Sequence, residues 1–311
     1  MEMANAAQAA ERRRAMVLVG CMVLIWGCNW PVNKVILTHI GPFWFASVRM
    51  GLGAATLFLV QAFRSDGVKL PARADLPIVF SIGLVQMAAM LTLMNLGLTS
   101  VAAGRSAILS YTTPLWVVPG AMLILGERLH LVKAMALLLG LAGVAFMFNP
   151  LGFNWSDHKA IVGNGYLLAA AVLWAGTTIH VRAHRWRGTP LALAPWQMLA
   201  GFVPMLVLSR WVEGPAPHIG FSWSVVLLAL YTGPVITAFP FWAFVTIART
   251  LPALTTSLTL LLVPVVGLLS SAAFLAEPLD ATTVVGLLLI IGAVAAVSLA
   301  DAKEARLGHG D

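Results

Sequence analysis

Trp26, Asn29, Trp30 and Asn33 recur three or four residues apart in one apolar run. On a helix that spacing puts all four on one face. Carboxamides set in apolar sequence can hold the polar head of a small molecule, and tryptophan rings can stack on its body. The same side chains also serve plain helix packing, where asparagines bond across the seam. Trp30 and Asn33 lie toward the end carrying Lys34, a position that also suits the outer interface. Trp174 falls 148 residues after Trp26, and Thr177 and Thr178 occupy the stretch matching Asn29 and Trp30. One tryptophan from each half makes a pair of stacking platforms or a pair of packing residues.

Arg49 is the one strongly ionised residue well inside an apolar run. Its guanidinium costs a few kcal/mol there unless it snorkels or pairs. Its planar fork fits a substrate carboxylate, and it fits helix carbonyls equally well. The counterpart in the second half is Gln197, so the two halves differ at this point. Gln86 and Asn95 add polar groups to the third run, which also carries Met87, Met90 and Met94. Flexible methionine side chains form either an adaptable binding wall or ordinary core. Thr256 and Thr259 add hydroxyls to the ninth run.

Prolines mark where these runs can bend. Tyr111 precedes Pro114, Tyr231 precedes Pro234, Trp242 follows Pro240, and Pro264 lies 150 residues beyond Pro114. Each proline removes one backbone donor and frees one carbonyl. The four are candidate gating hinges beside a substrate path, or static kinks. Tyr111 and Trp242 join the candidate cavity set.

No Asp or Glu stands in the middle of any run, so no buried carboxylate offers a proton relay. Uniport, or coupling through another group, is expected. There is no HExxH, GxSxG or GxxxxGK[ST] pattern, which argues against a protease, a hydrolase and an ATP-driven pump. No metal site and no cofactor are expected.

The elements that position these residues are membrane spans. Apolar residues make up 60% of the 311 and charged residues 10%. No soluble domain could bury that much apolar surface. A span needs about 20 residues. The runs are near 15–36, 42–63, 75–98, 101–125, 129–149, 160–181, 190–210, 222–247, 250–276 and 281–300. The net charge of +7 is spread between them, which is a topology signal and not a nucleic-acid surface. With the N-terminus inside, the cytoplasmic links hold Arg12–Arg14, Arg64, Lys69, Arg73, Arg128, Lys133, Arg182, Arg185, Arg187, Arg249, Lys303 and Arg306. The outer links hold Lys159 and Arg210. Both termini are therefore expected in the cytoplasm.

The chain also repeats. The stretch 98–129 returns at 248–279, with Pro114 on Pro264, Ala103 on Ala253 and Glu127 on Glu277. Five spans in each half turn the second half over, an inverted repeat of 1–149 and 150–311. Glu127 and Glu277 close matching spans and are expected to cap or pair locally.

Ile25-Trp26-Gly27-Cys28-Asn29-Trp30, Arg49 in SVRMGLG, TPLWVVPGAMLILGERL and VPVVGLLSSAAFLAEPL occur in that order. This set resembles the EamA-type transporters of the drug/metabolite transporter superfamily, over nearly the whole chain. Within the family it is most similar to the bacterial YddG-type aromatic amino acid exporters. The resemblance implies an all-α integral membrane protein of ten transmembrane helices in two inverted five-helix repeats. It implies alternating access around a central cavity and export of amino acids, aromatic or hydrophobic ones preferred, or similar metabolites across the bacterial inner membrane. The expected partners are a small-molecule substrate and the lipid bilayer, without nucleic acid, and a monomer is compatible with all of this. Alternatives are a multidrug or other metabolite carrier of the same superfamily, a membrane enzyme, or a receptor. A phosphorylated cargo would want several converging cations and a cationic drug an intramembrane carboxylate, and the spans hold neither.

Overall fold

The computed structural model describes residues 2–126, 131–148, 156–217, 223–240, 243 and 262–307. Among these residues the secondary structure is helical and no strand is present. In lipid a helix satisfies its own backbone, which is why apolar runs of this length fold this way. The helices are α1 (Glu2–Ile36), α2 (Pro42–Ala62), α3 (76–100), α4 (Ala103–Ser110 and Thr113–Leu125) and α5 (Leu131–Phe148). They continue as α6 (His158–Ala183), α7 (Pro190–Val212), α8 (Trp223–Leu230 with Tyr231–Ala238), α9 (Leu262–Leu275) and α10 (Ala281–Leu307). Five described helices are long and apolar enough to cross a membrane: Pro42–Ala62, Arg73–Ser100, Ala103–Ile124, His158–Val181 and Leu191–Val212. Ala134–Gly143, Leu262–Leu275 and Ala281–Ala293 are shorter apolar helices.

Two stretches depart from α geometry. Ser81–Met90 in α3 and Tyr231–Ala238 in α8 are π-helical, and their first residues are 150 apart. Gly83/Gly233, Val85/Val235 and Ala88/Ala238 match at that same offset. The backbone repeats once more at Gly126 and Ala276, which hold left-handed φ of 70° and 52°. A side chain in that region costs about 1–2 kcal/mol, so Ala276 is strained where Gly126 is not.

The chain forms two compact units. The first comprises residues 1–31, 103–157 and 242–311, and the second 32–102 and 158–241. Each unit therefore draws helices from both halves of the sequence.

In the first unit small residues let backbones close up, the usual seam between helices in lipid. A Cβ on Gly27 would sit 2.4 Å from Val266 Cγ1, and one on Gly267 would sit 2.8 Å from Ala107 Cβ. Ser270 Oγ donates to Gly27 O at 3.3 Å, tying α9 to α1. Glu277 follows the left-handed Ala276 and accepts from Ala103 N at 2.7 Å and Gly104 N at 3.0 Å. The expected cap is present, and it is not local. The carboxylate serves the start of α4, more than 170 residues away in sequence. Glu127 lies outside the described residues. At the start of α10 Asp280 accepts from Thr283 N at 2.9 Å.

In the second unit α2 and α7 cross through Met50 and Met198. Met50 Sδ is 2.9 Å from where a Gly201 Cβ would be, and Met198 Sδ is 2.8 Å from the same point on Gly53. Met50 and Met198 are 148 residues apart in sequence, as are Gly53 and Gly201, so the crossing is built from matching parts of the two repeats. Three long-range caps hold the ends of this unit. Glu213 accepts from Phe43 N and Trp44 N, both at 2.9 Å, at the start of α2. Asp75, fully buried, accepts from Arg187 N at 3.0 Å and Gly188 N at 2.8 Å, with His184 Nε2 3.0 Å away. Lys34 Nζ donates to Leu98 O at 2.5 Å and Val101 O at 2.6 Å at the end of α3. The Glu213 carboxylate at a helix start and the Lys34 ammonium at a helix end match the helix dipole.

Candidate functional site

The structure divides the expected site residues between the two units. In the first, Asn29 is 6% exposed and Trp30 is buried, and Trp26 is half-buried. Trp30 packs against α9, where its Cδ1 is 3.2 Å from a Cβ built on Gly267. Gly27 and Trp30 thus face α9. Among the described residues the Asn29 side-chain oxygen has no hydrogen-bond partner. Such an atom buried without a partner costs about 1–3 kcal/mol, so it is poised for a ligand or a changed neighbour.

Pro114 stands just after a break in α4. The helix stops at Ser110 and resumes at Thr113, with Tyr111, half-buried, in the turn. Ser110 O is the carbonyl that an N–H at position 114 would serve, and proline has none. Thr113 Oγ1 donates to it at 3.0 Å instead. Thr112 Oγ1 donates to Leu109 O at 2.7 Å and receives Trp116 Nε1 at 3.3 Å. The bend is therefore sealed by hydroxyls from its own turn. Pro264 is buried within α9. Trp242, Thr256 and Thr259 lie outside the described residues.

In the second unit Asn33 is 1% exposed, and among the described residues neither of its amide atoms has a partner. Met90 and Leu91 of α3 are buried against Ala170 of α6, with Met87, Met94 and Trp174 packed around them. The structure so joins Trp174 to the methionine face of α3. Thr178 Oγ1 donates to Trp174 O at 2.8 Å, a bond within its own helix. Gln86 is half-buried on the π segment of α3. Asn95 Nδ2 donates to Pro42 O at 3.2 Å.

Arg49 is 8% exposed. Its Nε donates to Thr237 Oγ1 at 3.1 Å, and its Nη2 makes a long contact with Ile236 O at 3.5 Å. Thr237 Oγ1 in turn donates to Thr232 O at 2.8 Å. Pro240, also buried, explains the contact. An α-helix would bond Ile236 O to the N–H at position 240, which proline lacks. Arg49 Nη2 lies 3.5 Å from that carbonyl, and Pro234 lies within the same π stretch.

Sequence reasoning missed Glu213, Asp75 and the two π stretches. Glu213 and Asp75 give only a faint signal, lone acids at the edges of apolar runs. Among the described residues no group of three His, Cys, Asp or Glu could hold a metal.

An all-helical membrane chain with proline-bearing, amide-bearing helices in both halves has the build of a carrier. The chain belongs to the EamA-like transporter family, whose model matches residues 13–149 and again 161–299. It is a multi-pass membrane protein with the family's ten-helix, two-repeat transporter fold. It is 27% identical to a Bacillus subtilis (strain 168) protein named "Uncharacterized transporter YvbV", over 92% of each chain. It is also 27% identical to an Escherichia coli (strain K12) protein named "Probable amino-acid metabolite efflux pump", over 90% of this chain and 93% of that one. A crystal structure of a protein 20% identical superposes with a TM-score of 0.63, over 92% of this chain and 97% of the other.

Proposed function

We propose that the chain exports amino acids or similar small metabolites across the bacterial inner membrane, with aromatic or hydrophobic side chains preferred. It works by alternating access as a uniporter, has no enzymatic activity, and keeps both termini in the cytoplasm. The observation that carries this reading is the buried, ligand-ready amide chemistry of α1. Among the described residues the Asn29 oxygen and both Asn33 amide atoms have no partner, at 6% and 1% exposure. Amides donate and accept at once, which suits the ammonium and carboxylate of a zwitterion. Trp26, on the same helix as Asn29, supplies a ring for an apolar body. The relative named as an amino-acid metabolite efflux pump supports the same substrate class.

The test is counterflow in proteoliposomes with labelled tryptophan, phenylalanine, leucine and lysine, with and without a pH gradient. Saturable tryptophan or phenylalanine flux without a gradient, reduced about tenfold or more in Asn29→Ala, supports the reading. Flux that requires a proton gradient overturns uniport. Absence of flux for every amino acid from folded protein moves the chain to the multidrug or other metabolite carriers.

A further inference from the structure

Arg49 and Gln197 occupy equivalent places 148 residues apart, each four residues before a crossing glycine, Gly53 or Gly201. Each glycine receives a π segment. Thr237 of α8 presses on Gly53, its Cγ2 2.7 Å from where a Cβ would be. Gly83 O of α3 presses on Gly201, inside 2.5 Å of the same point. The two joints are built alike and finished differently. At the α8 joint Arg49 holds Thr237 Oγ1. At the α3 joint Gln197 is 1% exposed, and among the described residues neither its Nε2 nor its Oε1 has a partner. A fully buried amide left idle forfeits the hydrogen bonds it had in water. A packed leucine or methionine would avoid that cost.

We propose that Arg49 and Gln197 are alternating positioning residues. In this conformation Arg49 latches the π segment of α8. In the other conformation Arg49 releases Thr237, and Gln197 Nε2 donates to a carbonyl of the π segment of α3. π stretches suit such an exchange, because their carbonyls are less completely matched and a one-residue shift re-pairs them. The purpose of the exchange rests on the transport reading above. Its physical test does not, because the readout needs no substrate.

The test is hydrogen–deuterium exchange of the full chain in nanodiscs, followed at residues 81–90 and 231–238. Arg49→Gln is expected to speed exchange at 231–238 about tenfold and, by shifting the population, to slow exchange at 81–90 about threefold or more. A merely structural Arg49 would speed 231–238 and leave 81–90 unchanged, and that result overturns the proposal. Adding Gln197→Met to Arg49→Gln should abolish the slowing at 81–90. If Arg49→Gln does not fold, Gln197→Arg serves in its place. It should slow 81–90 and speed 231–238, and an unchanged 231–238 overturns the proposal. Failure of amino acid flux with reciprocal exchange intact would count against the substrate and not against the latch.

Discussion

Glu277 accepts the backbone N–H of Ala103 at 2.7 Å, so the end of α9 caps the start of α4. The Gly104 N–H is taken by the other oxygen of the same carboxylate at 3.0 Å. Two of the four orphan donors of that helix start are met this way, by a charge of the sign the helix dipole favours. Glu277→Ala should lower stability by about 2 kcal/mol, and Glu277→Gln by about half that, because the amide keeps one acceptor. Chemical unfolding in detergent, followed by helical circular dichroism, measures both. Equal losses for the two variants would show that charge, and not acceptor count, sets the effect.

The turn that aims Glu277 is strained. Ala276 holds φ 52°, while its repeat partner Gly126 holds φ 70° without a side chain. Ala276→Gly should raise stability by about 1 kcal/mol, and Gly126→Ala should lower it by a similar amount. Thermal unfolding of the two single variants gives the comparison. A gain in both would mean that the two turns are not equivalent in backbone conformation.

The span pattern was open to sequence reading because lipid imposes a simple rule on composition. Runs expected at 42–63, 160–181 and 190–210 are the helices Pro42–Ala62, His158–Ala183 and Pro190–Val212. The first helix begins well before its apolar run, at Glu2, because hydropathy sees the lipid-facing stretch and not a polar helical extension. The caps were illegible for a different reason. Glu213, Asp75 and Glu277 each bond amides more than a hundred residues away, and no local pattern encodes such a partner. The π stretches are tertiary as well. One contains Pro234 and ends at Ala238, two residues before Pro240, but Ser81–Met90 has no proline, and it is seated on Gly201. Of the site, Asn29, Asn33 and Arg49 were visible as polar residues in apolar runs. That Gln197 stands idle at the place of Arg49 emerged only from the packing.

Acid should loosen the start of α10. Burial alone would raise the Asp280 carboxyl, but hydrogen bonds from Thr283 and Thr282 and the charge of Arg105 hold it below its ordinary 3.8. A folded-state value below the unfolded one gives stability that is full above about pH 4 and is lost as pH falls through the folded value. Asp280→Asn keeps a capping oxygen and removes the charge. Its unfolding temperature should fall less than that of the natural chain between about pH 5 and pH 3. Thermal scans across that range decide it, and parallel curves would remove Asp280 from the acid response.

The crossing of α3 and α7 leaves no room for a methyl group. A Cβ on Gly201 would lie within 2.5 Å of Gly83 O, and one on Gly83 would lie 2.5 Å from Gln197 O. Both obstacles are backbone, so no side chain can swing aside to relieve them. Gly201→Ala and Gly83→Ala should each cost about 3 kcal/mol, through separation of the two helices. Gly165 and Gly176 lie on α6 with nothing within 4 Å of an added Cβ. Alanine there should be neutral or gain about 0.5 kcal/mol from helix propensity alone. The four variants form one experiment, read by denaturant midpoints in a single detergent. A small loss at Gly201 would mean that α3 and α7 can part at little cost. The π segment of α3 would then be free to move without any latch at Gln197.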